Sequence, residues 1–421
     1  MLKWKNSAVA LVFYTDLCSK FNPRRSFMST IADSSDLTIK ETSKYSRKTI
    51  RLAVSLFYFG QGLVFASWAS RIPDLKAALH LSDAALGSIL LALPIGQLIT
   101  MPLSGRLVAI YGSKKILTLA TPLYALCLTN LALATHGWHL AAFLLLFGIS
   151  GNLCNIALNT QAVTAEGHYG KPIMSSFHGS WSLGLFTGAL VGLLMMNLHL
   201  TTRAHFWIIA PIAWTHIFIN HRFLLIGKSP QKEKPKFLMK PQGVLVQLGI
   251  IAFCSMAAEG AMMDWSGVYF KEIVHAPAKW VILGYASYSA MMTIGRFIGD
   301  KFIASYGRKR MLQFCGILVS FGMLLSVAFP YLAVATIGFM MVGIGVSVII
   351  PMIYTIAGNN DKMPSSLAIA MVSSIGYFGF LMGPPLIGYI SELFNLRYSF
   401  AVVGCFGLLI SLLVSKIRAI K

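Results

Sequence analysis

Twelve apolar runs divide most of this chain, and they constrain its fold more than any other feature. Each run is about 20 residues long, the length at which an α-helix crosses the hydrocarbon of a bilayer. Hydrophobic residues make up 56% of the 421-residue sequence and charged residues only 12%, about half the charged share of a soluble domain. The sequence therefore predicts an all-α polytopic membrane protein with 12 transmembrane helices. The runs lie at about 50–70, 84–105, 115–135, 138–161, 173–197, 206–226, 243–268, 280–300, 310–329, 332–356, 366–390 and 397–417.

A basic linker separates the first six runs from the last six. It spans residues 227–242 and is rich in lysine and proline. We predict two pseudo-symmetric six-helix bundles, at 50–226 and 243–421, joined by this cytoplasmic linker and preceded by a flexible cytoplasmic leader at 1–49. Two bundles of this kind place a solute site at their interface.

The two halves also repeat each other in sequence. Gln61-Gly62, followed by Trp68, matches Glu259-Gly260, followed by Trp265, and residues 111–115 match residues 306–310 at an offset of 195. The first match has offsets of 198 and 197 residues, within three of the second, and this agreement predicts an internal duplication.

Most of the 35 lysines and arginines fall on the side of the membrane that holds the N-terminus. Basic residues flank transmembrane helices mainly on the cytoplasmic side. We therefore expect a multi-pass protein of the cell (inner) membrane with both termini in the cytoplasm.

Two acidic residues in the seventh run are the first candidates for function. The chain has only 14 acidic residues, and Glu259 and Asp264 lie in an apolar segment, where a charge is costly and usually functional. Five residues turn a helix by about 140°, so the two carboxylates do not share one face. We predict that Glu259 carries a proton, with Asp264 and His178 as further candidates, since histidine changes charge near neutral pH. The alternatives are a hydrogen-bonded structural acid at Glu259 and a solvated one at Asp264.

Polar and aromatic side chains within the runs are candidates for binding a solute. Three asparagines of the fourth run share one helix face, and amides both donate and accept hydrogen bonds, as sugar hydroxyls require. His178 and Asn159 are expected at similar depth on adjacent helices. The alternative for each is packing between helices. The candidates are Gln61, Trp68, Asn152, Asn155, Asn159, Trp265 and Tyr377.

Arg296 is predicted to pair with Asp300, four residues further on in the same run. Its position near the cytoplasmic end of the run is expected to be too far from Glu259 for those two to meet.

Several classes of protein are excluded by what the sequence lacks. It has no nucleotide-binding loop and none of the short motifs of hydrolases or metalloproteases. The six cysteines show no metal-binding or disulfide spacing. The net charge of +21 is spread over short loops, which argues against nucleic acid as a partner. We expect no cofactor, no bound metal and no enzymatic activity.

The loops after the second and eighth runs are similar to the signature loop of the major facilitator superfamily. The similarity rests on Gly105-Arg106-Leu107 with residues 111–115, and on Phe302 with residues 306–310; runs eight and eleven resemble the fucose-permease-like bacterial branch. The resemblance implies a gating loop at Gly105, Gly112, Lys114, Lys115, Gly307, Arg308 and Lys309. The acid that this family uses to latch the cytoplasmic face is replaced by Ala109 and Ala304, and Asp300 or Glu166 could substitute for it.

Together these features predict a secondary active transporter that moves a small polar, sugar-like solute by alternating access, as a proton-coupled symporter. Its partners would be the solute, protons and the lipid bilayer, and we expect a monomer. A multidrug or metabolite efflux carrier is the alternative function. A membrane-embedded enzyme or scaffold is a more remote one.

Overall fold

The regular structure of the described chain is α-helical, apart from one 3-10 turn at His221–Phe223. The computed structural model describes residues 45–81, 83–226, 243–277, 280–281, 283–360 and 363–417. The leader up to residue 44 and the linker at 227–242 lie outside the described residues. From Arg47 onward the chain forms one compact unit.

The first half contains eight helices. They are α1 (Arg47–Ala69), α2 (Ile72–Ala78), α3 (Asp83–Leu90), α4 (Ala92–Tyr111), α5 (Ser113–Leu131), α6 (Gly137–Tyr169), α7 (Met174–Asn197) and α8 (Thr202–Asn220). The second half contains seven. They are α9 (Val244–Glu272), α10 (Leu283–Tyr306), α11 (Arg308–Ala328), α12 (Leu332–Ser347), α13 (Ile349–Gly358), α14 (Ser365–Leu393) and α15 (Leu396–Lys416).

Twelve spans result, because α3 continues into α4 and α12 continues into α13. In the described part of the chain, nine spans are long and apolar enough to cross a membrane on their own. The other three are α5, α8 and α10, and each packs against apolar neighbours within its half. The predicted fold of 12 helices in two bundles is confirmed.

The two halves pair their helices in the same way. In the first half α1 packs on α7 and α4 on α6, while in the second half α9 packs on α14 and α10 on α12. Between the halves, α4 meets α14 and α7 meets α10. Because each contact has a counterpart in the other half, the bundles are related by pseudo-twofold symmetry.

Glycines at equivalent positions allow these helix pairs to approach closely. A Cβ atom on Gly148 would collide with the carbonyl oxygen of Leu93, and one on Gly343 would collide with that of Tyr288. The two glycines are 195 residues apart, as are the two residues that they face. The structure therefore repeats the offset that the loops show in sequence.

The two signature loops also have the same backbone conformation. Gly112 and Gly307 have φ values of 84° and 79°, a region that favours glycine. Lys114 donates a hydrogen bond to the carbonyl of Arg222 at 3.2 Å, and Lys309 donates to that of Ile417 at 3.1 Å. Each lysine thus caps the end of the last helix in its own half. We call the end of the bundle that carries Gly112 and Gly307 the loop end.

Candidate functional site

A buried arginine bridges the two halves inside the bundle. Nη2 of Arg296, on α10, lies 3.5 Å from Oε1 of Glu259, on α9, and Nη1 donates to Oγ of Ser182, on α7, at 2.6 Å. The paired side chains are 7% and 13% exposed. Glu259 and Arg296 belong to the second half and Ser182 to the first. A change of charge on Glu259 would therefore act on a side chain that joins the halves.

This arrangement shows that the prediction for Arg296 was wrong. Arg296 bonds Glu259, which was expected to be out of reach, and the expected pair with Asp300 is replaced by other partners of that acid. At 1.5 Å per residue from the loop end, the two backbones differ in depth by about 7 Å. The Cα–Cβ bond of a helical residue tilts toward the N-terminus of its helix. Since α9 begins at the loop end and α10 at the far end, the two side chains lean toward each other.

Asp300 binds the first turn of α7 in the other half. Its two carboxylate oxygens accept hydrogen bonds from the backbone N–H groups of Ser175, at 3.0 Å, and Ser176, at 2.8 Å. The Ser175 hydroxyl donates in turn to the carbonyl of Arg296 at 2.7 Å. The start of a helix has unpaired N–H groups and a positive partial charge, so a carboxylate is stabilised there.

Glu166 makes a second connection between the halves at the loop end. One of its oxygens lies 3.0 Å from Nη2 of Arg308, and the other accepts from the backbone N–H groups of Ile173, at 2.9 Å, and Met174, at 2.8 Å. We call this contact, together with that of Asp300 on α7, the latch. The two acids that we considered as substitutes for the missing loop acid thus both lie in contacts between the halves.

A row of polar and aromatic side chains crosses from the first half to the second. Asn159 donates to Asn155 Oδ1 at 3.1 Å and accepts from the Tyr58 hydroxyl at 2.8 Å. The Tyr58 ring lies 5.3 Å from that of His178, which lies 6.1 Å from the Tyr354 ring on α13. Nε2 of His178 is buried and has no hydrogen-bond partner among the described residues. Asn159 and His178 therefore both contact Tyr58.

Four tyrosines of α10, α13 and α14 lie within the range of an electrostatic interaction with Glu259. They are Tyr285, Tyr288, Tyr354 and Tyr377. The Tyr377 hydroxyl also lies near the side chain of Gln97 on α4, in the other half. This candidate thus lies at the interface of the halves and near Glu259.

Other candidates make packing contacts within the first half. Asn152 accepts a hydrogen bond from Ser104 at 2.7 Å, and Gln61 donates to the carbonyl of Gly151 at 3.3 Å. Trp68 is 2% exposed and belongs to the hydrophobic core. A role in solute binding stays a prediction for all three, and their contacts favour a role in packing.

Two candidates on the outer part of α9 lie apart from the ion pair. Asp264 is exposed and makes no ion pair among the described residues. Trp265 is partly buried and packs against Gly388 of α14. The structure therefore separates Glu259, which has a basic partner, from the second acid of the same helix.

Gly105 lies where α4 meets α14. Its carbonyl accepts a hydrogen bond from Ser366 at 2.9 Å, and a Cβ atom there would lie 2.8 Å from Cβ of Ala370. Lys115 lies 5.5 Å from the ring centre of Tyr111. The gating-loop candidates thus have three different positions. Gly105 and Arg308 contact the opposite half. Lys115 is an exposed cation, and the others form the turns between helices or bind the chain after the last helix of their half: Gly112, Gly307, Lys114 and Lys309.

Sequence reasoning missed the uncharged partners of these groups, namely Tyr58, Ser104, Ser182 and Tyr354. Single hydroxyl-bearing residues are common in apolar helices and give no separate signal. Ser182 alone could have been found, because it lies four residues after His178 and so shares its helix face.

The fold and this site define a helical membrane transporter and not an enzyme: two matching bundles meet through α4, α7, α10 and α14, and costly charges lie between them. Comparison with known proteins gives the family. The model of the Major Facilitator Superfamily matches residues 52–365. An uncharacterised MFS-type transporter of Yersinia pestis is 34% identical over 372 residues, which are 88% of this chain and 95% of that protein. The chain belongs to the Major Facilitator Superfamily, as the loops predicted.

Solved structures of this superfamily share the fold at low sequence identity. FucP in an outward conformation is similar with a TM-score of 0.74 at 14% identity, covering 87% of this chain and 97% of that one. The Escherichia coli fucose:proton symporter FucP, as the variant N162A, gives 0.69 at 14% identity, with coverage of 87% and 97%. The proton:xylose symporter XylE gives 0.64 at 14% identity, with coverage of 88% and 95%.

Proposed function

We propose that this transporter couples the movement of a small polar, sugar-like solute to that of a proton, with Glu259 as the group that carries the proton. The observation that carries the proposal is the chain of contacts from Glu259 through Arg296 to Ser182. It links an ionisable group of one half to a neutral group of the other. Two of the structural neighbours are named as proton symporters of fucose and xylose, which supports the same kind of coupling here.

The ion pair supplies a simple coupling device. With Glu259 charged, Arg296 has a counter-ion on α9 and holds Ser182 across the interface. A proton on Glu259 removes that counter-ion and leaves the guanidinium to find other acceptors, such as a solute hydroxyl. An equilibrium between two conformations shifts only when a ligand binds them with different affinity. Protonation and solute binding would together provide this difference, since both change the partners of a side chain that bridges the halves.

Asn155 and His178, the partly exposed members of the row that crosses the halves, suit a solute with hydroxyl groups. The buried Tyr58, Asn159 and Tyr354 hold them in place. Amide and phenol groups donate and accept hydrogen bonds, and aromatic rings cover the apolar faces of a sugar. The unpaired Nε2 of His178 offers one further polar contact. A solute bound there would contact both halves, as alternating access requires.

The loop end would face the cytoplasm, with both termini on that side and the protein working as a monomer in the inner membrane. The basic residues at the loop end support this orientation. A reporter fused after Lys421 that is active only in the cytoplasm should be active. If a periplasmic reporter is active there instead, the orientation is reversed.

The variant Glu259→Gln tests the coupling in reconstituted vesicles. Solute added outside should no longer drive proton uptake, measured with a pH-sensitive dye, whereas exchange of labelled for unlabelled solute should persist. Glu272→Gln is the matched control, because it neutralises an exposed acid at the end of the same helix, and it should keep both activities. Normal proton uptake by Glu259→Gln would reject the role of Glu259.

A further inference from the structure

An apolar groove opens on the outside of the second half, between α10, α11 and α12. It has a volume of about 540 Å³ and is lined almost wholly by apolar atoms. Tyr306 and Arg310 lie at the loop end of the groove, and Gly295 lies about 16 Å deeper at 1.5 Å per residue. In a membrane protein such a groove faces lipid, since hydrocarbon surrounds the spans at this depth.

Arg310 differs from the two basic residues that precede it. Arg308 pairs with Glu166, and Lys309 donates to the carbonyl of Ile417. Arg310 is exposed at the mouth of the groove and makes no hydrogen bond or ion pair with another described residue. A permanent cation thus lies beside an apolar groove, at the depth where lipid headgroups lie.

We propose that this groove binds an anionic glycerophospholipid, with the phosphate on Arg310 and an acyl chain between α10 and α12. Arginine binds phosphate through two parallel hydrogen bonds. Tyr306 stacks on Phe302 at the rim, and tyrosine is common at the level of the headgroups. The occupant therefore has both an anionic head and a long apolar tail, a combination that the surrounding bilayer supplies.

Helix α10 contributes residues to both the groove and the latch. Gly295 and Gly299 line it, and the residue after each is a bridging one, Arg296 or Asp300. A Cβ atom on Gly299 would collide with Val348 on the α12 side and would lie 3.3 Å from Ser175 Oγ of the other half. A lipid seated here would support the position of α10 in which Asp300 reaches α7. The lipid thus favours the arrangement in which the latch is formed.

The test uses the purified full-length protein in detergent, titrated with phosphatidylglycerol or phosphatidylcholine while its thermal unfolding is followed. Phosphatidylglycerol should stabilise the natural protein more than phosphatidylcholine does. In Arg310→Gln the apparent affinity for phosphatidylglycerol should fall about fivefold, the loss expected for one basic residue at a membrane surface. Lys301→Gln is the matched control, because Lys301 is an exposed cation near the loop end of α10 that does not line the groove, and it should keep the preference.

A second variant tests the acyl chain separately from the charge. Ile298 lines the groove and is 41% exposed, so Ile298→Trp should fill the groove and weaken phosphatidylglycerol binding without changing the charge. Inorganic phosphate at the same concentration should not compete. Equal losses in Arg310→Gln and Lys301→Gln, or undiminished binding by Ile298→Trp, would overturn the proposal, and competition by phosphate would show a plain anion site instead.

Discussion

Glu259 and Arg296 approach to 3.5 Å although their backbones lie at different depths of the bundle. Their helices run in opposite directions, and the tilt of helical side chains closes the gap. Both groups are largely buried, and removal of one would strand the other in a region of low polarity. The two residues are therefore expected to act as one unit in stability as well as in function.

A double-mutant cycle should show this coupling. Arg296→Gln leaves the Glu259 carboxylate without its partner and should destabilise the protein by about 1–3 kcal/mol. Adding Glu259→Gln should restore part of the loss, because it removes the stranded charge. The unfolding midpoints of the natural protein, the two single variants and the double variant give the coupling energy. Additive effects would show that the two side chains do not interact.

The helices and the repeat could be predicted from sequence, and the site only in part. An apolar run of bilayer length has one main solution, a spanning helix, and the matching loops around Gly112 and Gly307 revealed the duplication. Two aspects of the site were beyond such reasoning. Whether Arg296 reaches Glu259 depends on α10 lying beside α9 and pointing in the opposite direction, which the sequence of one helix does not show. The contacts of Asp300 and Glu166 with the start of α7 depend on how the two halves pack together, which the apolar pattern of each run does not encode.

The latch at Glu166 should control the local stability of the loop between α6 and α7. Glu166→Gln replaces an ionised acceptor by a neutral one and removes the pair with Arg308. Hydrogen bonds to a charged group are stronger than neutral ones by about 1 kcal/mol. Amide hydrogen exchange, followed by mass spectrometry, should therefore be about fivefold faster in the peptide that contains Ile173 and Met174. Glu272→Gln, which changes an exposed acid at the far end of α9, should leave that peptide unchanged, and unchanged exchange in Glu166→Gln would contradict the latch.

Three exposed histidines follow helices in the left-handed backbone region. His80, His199 and His275 have φ values of 51°, 55° and 53°, and His80 and His275 hold equivalent positions in the two halves. This conformation costs most L-residues about 1–2 kcal/mol, and glycine or asparagine adopts it more easily. His275→Asn should therefore stabilise the protein by a few tenths of a kcal/mol in thermal unfolding, because histidine already tolerates this region better than most residues. His275→Ala keeps the unfavourable backbone and should give no gain, so an equal gain from alanine would show that the backbone is not the cause.

The glycines at the helix contacts should tolerate no side chain, unlike a helical glycine that faces open space. Gly184 on α7 faces the carbonyl of Phe59, and Gly379 on α14 faces that of Phe253, each too close for a Cβ atom. Gly184→Ala or Gly379→Ala should separate the helices and cost about 1–3 kcal/mol or more.

Gly167→Ala, on α6, is the control, because no atom lies within 4 Å of the added methyl group. Alanine has the higher helix propensity, so this change should stabilise the protein by about 0.5–1 kcal/mol. The yield of monodisperse protein and its unfolding midpoint separate the two outcomes. If Gly184→Ala and Gly379→Ala behave like Gly167→Ala, the close packing of α1 on α7 and of α9 on α14 is wrong. If only one of the two is tolerated, the equivalence of the halves fails at that contact.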